Sequence, residues 1–278
     1  MENETMYKPL TGTTLILLFA LVSPLVSPAA AVTNGQPDDS LHPYVGLVVF
    51  YDNEGVALWR CSGALISETV FVTAGHCTYG TASAAIWFGP GPFTYDPENG
   101  YPYHGYDATG LTYYMPGYRS EPQPGLPEFD YHDVGVVILD QPVTVDRYAQ
   151  LPAEAFAGTL PMMTEVTIVG YGVQYKLQTS GPPRDRWTGP RMRFYAPSQL
   201  VQSDDVISDE YLKLTANPAQ EKGGTCFGDS GGPILFGDTI LGVNSFVTNA
   251  NCAGVTYSNR IDTAAALYFI NTPVPSPP

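Results

Sequence analysis

The stretch "GTCFGDSGGPIL", residues 224–235, surrounds one serine, Ser230, with glycines. Glycine allows backbone conformations closed to other residues and lets another molecule approach the main chain. A serine hydroxyl is a weak nucleophile until a base removes its proton. The core "GDSGG" fits G-x-S-x-G, a pattern that also occurs in unrelated hydrolases and by chance. Chain order narrows the reading. A hydrolase wound around a parallel sheet carries its acid and its histidine after the serine. The four histidines here, His42, His76, His104 and His132, all precede Ser230. The base for this serine must come from upstream.

His76 is the leading candidate. It stands in "VTAGHC" (72–77), at the end of an apolar run, where Cys77 can anchor the turn. His104 lies in a Tyr- and Gly-rich region and His42 near the start of the globular part. His132 adjoins an aspartate and stays open on chemistry alone. An imidazole base needs a carboxylate to hold its tautomer and orientation. Asp133 heads "DVGVVIL" (133–139). A carboxylate leading so apolar a strand is expected to be buried, and a buried carboxylate needs a partner. Asp130 and Asp140 are alternatives, and Asp133 could equally be a turn residue capping its strand.

The flanking chain predicts an all-β fold. Charged residues make up only 14% of the 278, against 28 Gly and 26 Pro, which favours many turns and few long helices. Short runs rich in Val, Ile, Tyr and Phe read as strands at 44–51, 56–67, 69–75, 83–89, 133–140, 165–172, 191–196, 211–216, 233–237 and 239–247. Only 261–270 reads as a helix. Many short strands without intervening helices mean a barrel or sandwich. Residues 90–130 read as one long connection. The best internal boundary lies near 143–156, giving halves 32–148 and 149–270 before a Pro-rich tail at 271–278.

A formal charge of −15 argues against nucleic acid or an anionic membrane as partner. At the other end, "TLILLFALVSPLV" (14–26) followed by "SPAAA" (27–31) reads as a secretory signal ending at Ala31. Four cysteines in a chain bound for an oxidising compartment predict disulfides, with three pairings open. No C-x-x-C pair marks a zinc site, and no cofactor motif is present, so neither metal nor cofactor is expected.

"CSGALISETVFVTAGHC", "DVGVVILD" and "GTCFGDSGGPIL" occur in that order. Together they resemble the signature blocks of the chymotrypsin-like serine peptidases, in particular secreted microbial members. The resemblance runs from about Val32 to Ile270. It implies two packed antiparallel β-barrels with a short C-terminal helix. It implies His76 as general base, Asp133 as its orienting acid and Ser230 as nucleophile of a secreted endopeptidase. The backbone N–H groups of Gly228 and Ser230 would form the oxyanion hole. Each such donor stabilises a transition state by about 2.7–4 kcal/mol. Disulfides Cys61–Cys77 and Cys226–Cys252 are implied, as is an ion pair between a freed Val32 amine and Asp229. The primary pocket would involve Gly224, Ser245, Phe246, Val247 and Gly254. With Gly224 where an acid would select Lys or Arg, a neutral pocket of modest size is expected. Partners would be protein or peptide substrates, with a protein inhibitor as a further candidate. A catalytically silent binding protein and an esterase-type acyl hydrolase remain alternatives on the same scaffold.

Overall fold

The computed structural model describes residues 32–96, 99–102, 104–121, 129–173, 175–176, 187–188, 192–202, 209–249 and 251–272. The expected signal segment and the Pro-rich tail beyond residue 272 lie outside them.

In chain order the strands are β1 (Gln36–Pro37), β2 (Val45–Tyr51), β3 (Ala57–Leu65), β4 (Val70–Thr73), β5 (Ser83–Trp87) and β6 (Ala108–Tyr114). Next come β7 (Arg119–Glu121), β8 (Phe129–Tyr131), β9 (Gly135–Leu139), β10 (Glu165–Gly170), β11 (Tyr175–Lys176) and β12 (Trp187–Thr188). The last are β13 (Phe194–Gln202), β14 (Tyr211–Ala216), β15 (Pro233–Phe236), β16 (Thr239–Val247) and β17 (Gly254–Arg260). One helical turn, α1 (Gly75–Thr78), follows β4, and α2 (Ala264–Asn271) closes the described chain.

Strands β2, β3, β4, β9, β6 and β5 close one antiparallel barrel. Strands β13, β10, β15, β16, β17 and β14 form a second, closed by the pairing of β13 with β14. This is the expected two-barrel, all-β architecture. Closure leaves no strand edge exposed along either barrel. The inward residues alternate with outward ones in the usual way; β6 buries Ala108, Gly110 and Thr112 and exposes Leu111. Buried Phe50, Phe71 and Ile86 fill the first barrel, and Leu47 and Trp87, paired on β2 and β5, are buried on its opposite face. Each such side chain stabilises the fold by about 1.5–3 kcal/mol. Val169, Tyr171, Leu235 and Ile240 of the second barrel join that same apolar cluster, so the barrels share a packed seam. No helix among the described residues is long and apolar enough to cross a membrane.

Several local expectations are revised. The long connection at 90–130 contains barrel strand β6 and one arm of the β7–β8 hairpin. Gly110 disguises β6, and packing explains it. A Cβ there would fall 2.3 Å from the Ile138 carbonyl oxygen of the neighbouring strand. Pro197, where the expected strand 191–196 stopped, lies inside β13 opposite Thr167. Strand β17, absent from the expected set, pairs with β14 from Gly254 to Asn259. The arm at 36–37 precedes the first barrel in sequence yet pairs with β13 of the second.

One buried cation ties the arm to both barrels. Arg193 is 2% exposed, and its Nε donates to Asp38 Oδ2 at 2.6 Å. Its other nitrogens donate to the carbonyls of Phe88 (2.7 Å), Val45 (3.0 Å) and Asp39 (2.7 Å). Asp38 is fully buried and also meets the His42 ring. Burial alone would raise the Asp38 carboxyl, but His42 and then Arg193 outweigh it and hold it below the ordinary carboxylate range. The folded carboxyl therefore binds its proton more weakly than the unfolded one. Its stabilising contribution is full above the ordinary carboxylate pKa and is lost as pH falls through the depressed value. Removing one partner of a buried pair leaves an uncompensated charge. Arg193→Met is expected to cost about 3–5 kcal/mol, read as a lower urea midpoint at neutral pH. A midpoint unchanged by that substitution would show the pair to be dispensable.

Candidate active site

His76 is presented by a single helical turn. Strand β4 ends at Thr73, and α1 begins at Gly75. Gly75 is small for a reason: a Cβ there would lie 3.1 Å from the Val134 nitrogen and 3.2 Å from the Asp133 Cα. The turn can thus press against the segment that carries Asp133. Cys77 fastens it to β3 through the Cys61–Cys77 disulfide, and Trp59 Nε1 donates to the Cys77 carbonyl at 2.8 Å.

Asp133 is completely buried. Its Oδ1 accepts the His76 backbone N–H at 2.6 Å, and its Oδ2 lies 2.9 Å from His76 Nδ1. The Ser245 hydroxyl, from β16 of the second barrel, donates to Oδ2 at 2.5 Å. These bonds supply the partners that a buried carboxylate requires. The Nδ1 contact leaves Nε2 as the other face of the ring. Burial alone would lower the His76 pKa. The Asp133 charge and hydrogen bond, followed by the Asp130 charge, win and push it up to about 8. The ring remains 24% exposed, so it is reachable.

Ser230 sits where two cavities meet. One, of about 250 Å³, is lined by Trp59, Arg60, Cys61, His76 and Ser230. The other, of about 240 Å³, is lined by Thr225, Cys226, Phe227, Ser230, Asn244, Ser245, Phe246 and Val247. The loop between them is held by the first barrel. The Ser62 N–H donates to the Ser230 carbonyl at 2.8 Å, and the Ser62 hydroxyl to the Gly228 carbonyl at 2.9 Å. Gly228 has φ 96°, a region that non-glycine residues rarely occupy. A Cβ at Gly228 would also fall 2.6 Å from the Arg60 guanidinium. The Cys226–Cys252 disulfide closes the base of this loop.

Asp229, fully buried, points away from Ser230 into the second barrel. Its carboxylate accepts the N–H groups of Gly172 (2.8 Å) and Cys226 (2.9 Å), and also the backbone N–H of Val32. Burial dominates and pushes this carboxyl up to about 6, against those bonds and the Arg60 charge. Val32 is itself fully buried, with Thr33 bridged to Gly224.

The residues singled out in the sequence thus gather in space, with two differences at the pocket. Gly224 and Gly254 do not line the 240 Å³ cavity; a Cβ on Gly224 would meet the Ala216 methyl at 2.3 Å. Ser245 lines the cavity, but its hydroxyl serves Asp133. Sequence reading missed Arg60, Trp59, Thr225, Phe227 and Asn244. Arg60 and Trp59 adjoin Cys61, and Thr225 adjoins Cys226, so proximity to the cysteines was the available signal.

The chain matches the family model described as Trypsin over residues 34–269. It is 26% identical to Serine protease 1 of Drosophila melanogaster over 245 residues, 83% of this chain and 80% of that protein. It is 28% identical to a trypsin of Saccharopolyspora erythraea over 213 residues, 74% of this chain and 81% of that one. Among solved structures it resembles HL collagenase, with TM-score 0.61 and 17% identity over 91% of this chain and 100% of that one. It also resembles the scabies mite inactivated protease paralogue S-D1, with TM-score 0.63 and 15% identity over 90% and 100% of the two chains. At such identities these structures establish the fold alone. The family match spans nearly all of both barrels together with the cleft that holds His76 and Ser230, and this chain belongs to the trypsin family of serine peptidases.

Proposed function

We propose that this chain is a secreted serine endopeptidase that works through Ser230, His76 and Asp133. The observation that carries the reading is the shared cleft of His76 and Ser230, with Asp133 bonded to the far side of the same imidazole. Neutral His76 takes the Ser230 proton as Oγ bonds to the scissile carbonyl carbon. The carbonyl π pair moves onto oxygen, where the N–H groups of Gly228 and Ser230 stabilise it. The imidazolium then gives its proton to the leaving amine, the C–N bond breaks, and the acyl group remains on Ser230. Water, deprotonated by His76, reverses the sequence and frees the acid. Asp133 stays ionised and holds the ring through Nδ1. Seated on the junction of two cavities, Ser230 has room for the acyl-side residue on one side and for the leaving group on the other.

Val32 fits the role of a freed N-terminus. It holds φ 51°, which a β-branched residue occupies only under restraint. Hydrolysis of the 31–32 bond releases that torsion and turns a weak N–H donor to Asp229 into an ammonium. An ammonium favours the carboxylate and would bring the Asp229 pKa down. Protein beginning at Val32 is expected to be active, and protein extended by even a few residues before Val32 much less so. Equal kcat/KM for the two forms would sink this part.

Three measurements test the whole. Ser230→Ala should lose fluorophosphonate labelling and about 10⁶-fold in peptide hydrolysis; an unlabelled, inert wild type would instead favour the silent binding protein. Because only the neutral imidazole accepts a proton, kcat/KM should fall as pH drops below about 8, the His76 value. An acid limb near the ordinary histidine value would contradict that environment. Finally, none of the described residues lining the 240 Å³ pocket is charged. Substrates with small or medium apolar residues at the cleaved bond should exceed Arg or Lys by roughly tenfold in kcat/KM. Cleavage of esters with no cleavage of any peptide in the panel would point to the acyl hydrolase.

A further inference from the structure

The imidazole of His76 faces a second carboxylate. Asp130 lies on β8, and ligand atoms of His76, Asp130 and Asp133 fall within 4.8 Å of one another. We propose that Asp130 is a positioning residue acting through His76: a second anion that shares the imidazolium with Asp133 and makes the base stronger. This rests on the catalytic reading of His76 above.

Asp130 is held there from both barrels. In the β7–β8 hairpin it pairs with Ser120. The Tyr118 hydroxyl donates to its Oδ1 at 3.2 Å. Tyr211, fully buried on β14 of the second barrel, donates to its backbone carbonyl at 2.7 Å. Tyr211 is in turn packed edge-on against Phe246 of the pocket wall, at 5.6 Å. Burial penalises the Asp130 charge, and repulsion from the Asp133 carboxylate adds to that penalty. Both effects raise the Asp130 carboxyl, and the His76 charge opposes them. Asp130 is therefore best accommodated when His76 is protonated. The same coupling, seen from the ring, favours the imidazolium.

The other charged and titratable neighbours do not replace it. Arg60 of β3 lines the cavity with His76 and has its Nη1 on the Tyr171 carbonyl at 2.8 Å. Arg119 of β7 lies over the Tyr131 ring, 4.5 Å from its centroid. Glu210 accepts the His132 N–H at 2.8 Å, and its carboxylate lies 3.7 Å from His132 Nε2. Tyr211 is pushed to a higher pKa by burial and by Asp133, and stays neutral. Asp133 and Asp130 are the two anions whose charges act on His76. The consequence is a trade. A ring with greater proton affinity accepts the Ser230 proton more readily and stabilises the ion pair that accompanies the tetrahedral intermediate. It is also neutral, and so competent, in a smaller share of molecules at pH 7.

Asp130→Asn tests this, because it removes the charge and keeps an acceptor for Tyr118. Two readouts are needed: the pH profile of kcat/KM, and the His76 ring titration followed by proton NMR in the Ser230→Ala background. Removing one facing charge should lower both midpoints by about one unit. The plateau above the limb should drop several-fold, while activity at neutral pH changes little or rises. Asp130→Glu, which keeps the charge, should return the limb toward its wild-type position. If Asp130→Asn fails to fold, Asp130→Ser carries the same expectation. Midpoints unmoved by either neutral substitution would overturn the proposal. So would a change confined to KM for substrates of differing charge, which would make Asp130 a substrate contact alone. Wild-type protein that cleaves no peptide would refute the catalytic reading, yet the NMR midpoints would still decide whether Asp130 governs the ring.

Discussion

A carboxylate with no exposed surface, Asp133, organises this cleft. Burying such a charge without partners is costly, and its partners come from separate parts of the fold. The backbone N–H and ring of His76 approach from the turn after β4. The Ser245 hydroxyl approaches from β16, across the seam between the barrels. Satisfying this one group therefore fixes the histidine turn and docks the second barrel on the first. The ring is oriented as a by-product, with Nδ1 committed and Nε2 left toward the cleft.

A second buried carboxylate works at the other end of the same construction. Asp229 turns away from its neighbour Ser230 and takes N–H groups from Gly172, Cys226 and Val32. The space it occupies exists because Gly170 and Gly172 lack side chains; Cβ atoms there would lie 2.3 and 2.4 Å from its oxygens. With Asp229 drawn inward, Ser230 is left at the surface where two cavities meet. Asp133 and Asp229 thus set the two halves of the site, one through an imidazole and the other through a loop. Neither works unless the barrels close against each other.

Much of this was readable along the chain. The glycine-flanked serine, the histidine before a cysteine and the aspartate heading an apolar strand each carry a local chemical reason to stand out. Short β-branched and aromatic runs marked most strands and implied a barrel or sandwich, and the resemblance carried by the three blocks implied two barrels. What escaped notice had non-local causes. Strand β6 hid behind Gly110, whose smallness answers to a carbonyl on β9, and β13 ran on through Pro197. Arg193 stood within the expected strand 191–196 with nothing beside it in sequence to mark it, yet it is a buried hub for the arm and both barrels.

The sequence by itself determined which groups are chemically able to act: a serine freed by glycines, an imidazole upstream, carboxylates with apolar neighbours, and cysteines beside two of them. Those properties depend on residue type and immediate neighbours, which a linear reading captures. Only the tertiary structure decided which carboxylates share one ring, where the Ser245 hydroxyl points, that Gly224 is closed off by Ala216, and that Arg60 borders the serine loop. Those outcomes are set by distances across the barrel seam, between residues whose separation along the chain says nothing about their approach in space.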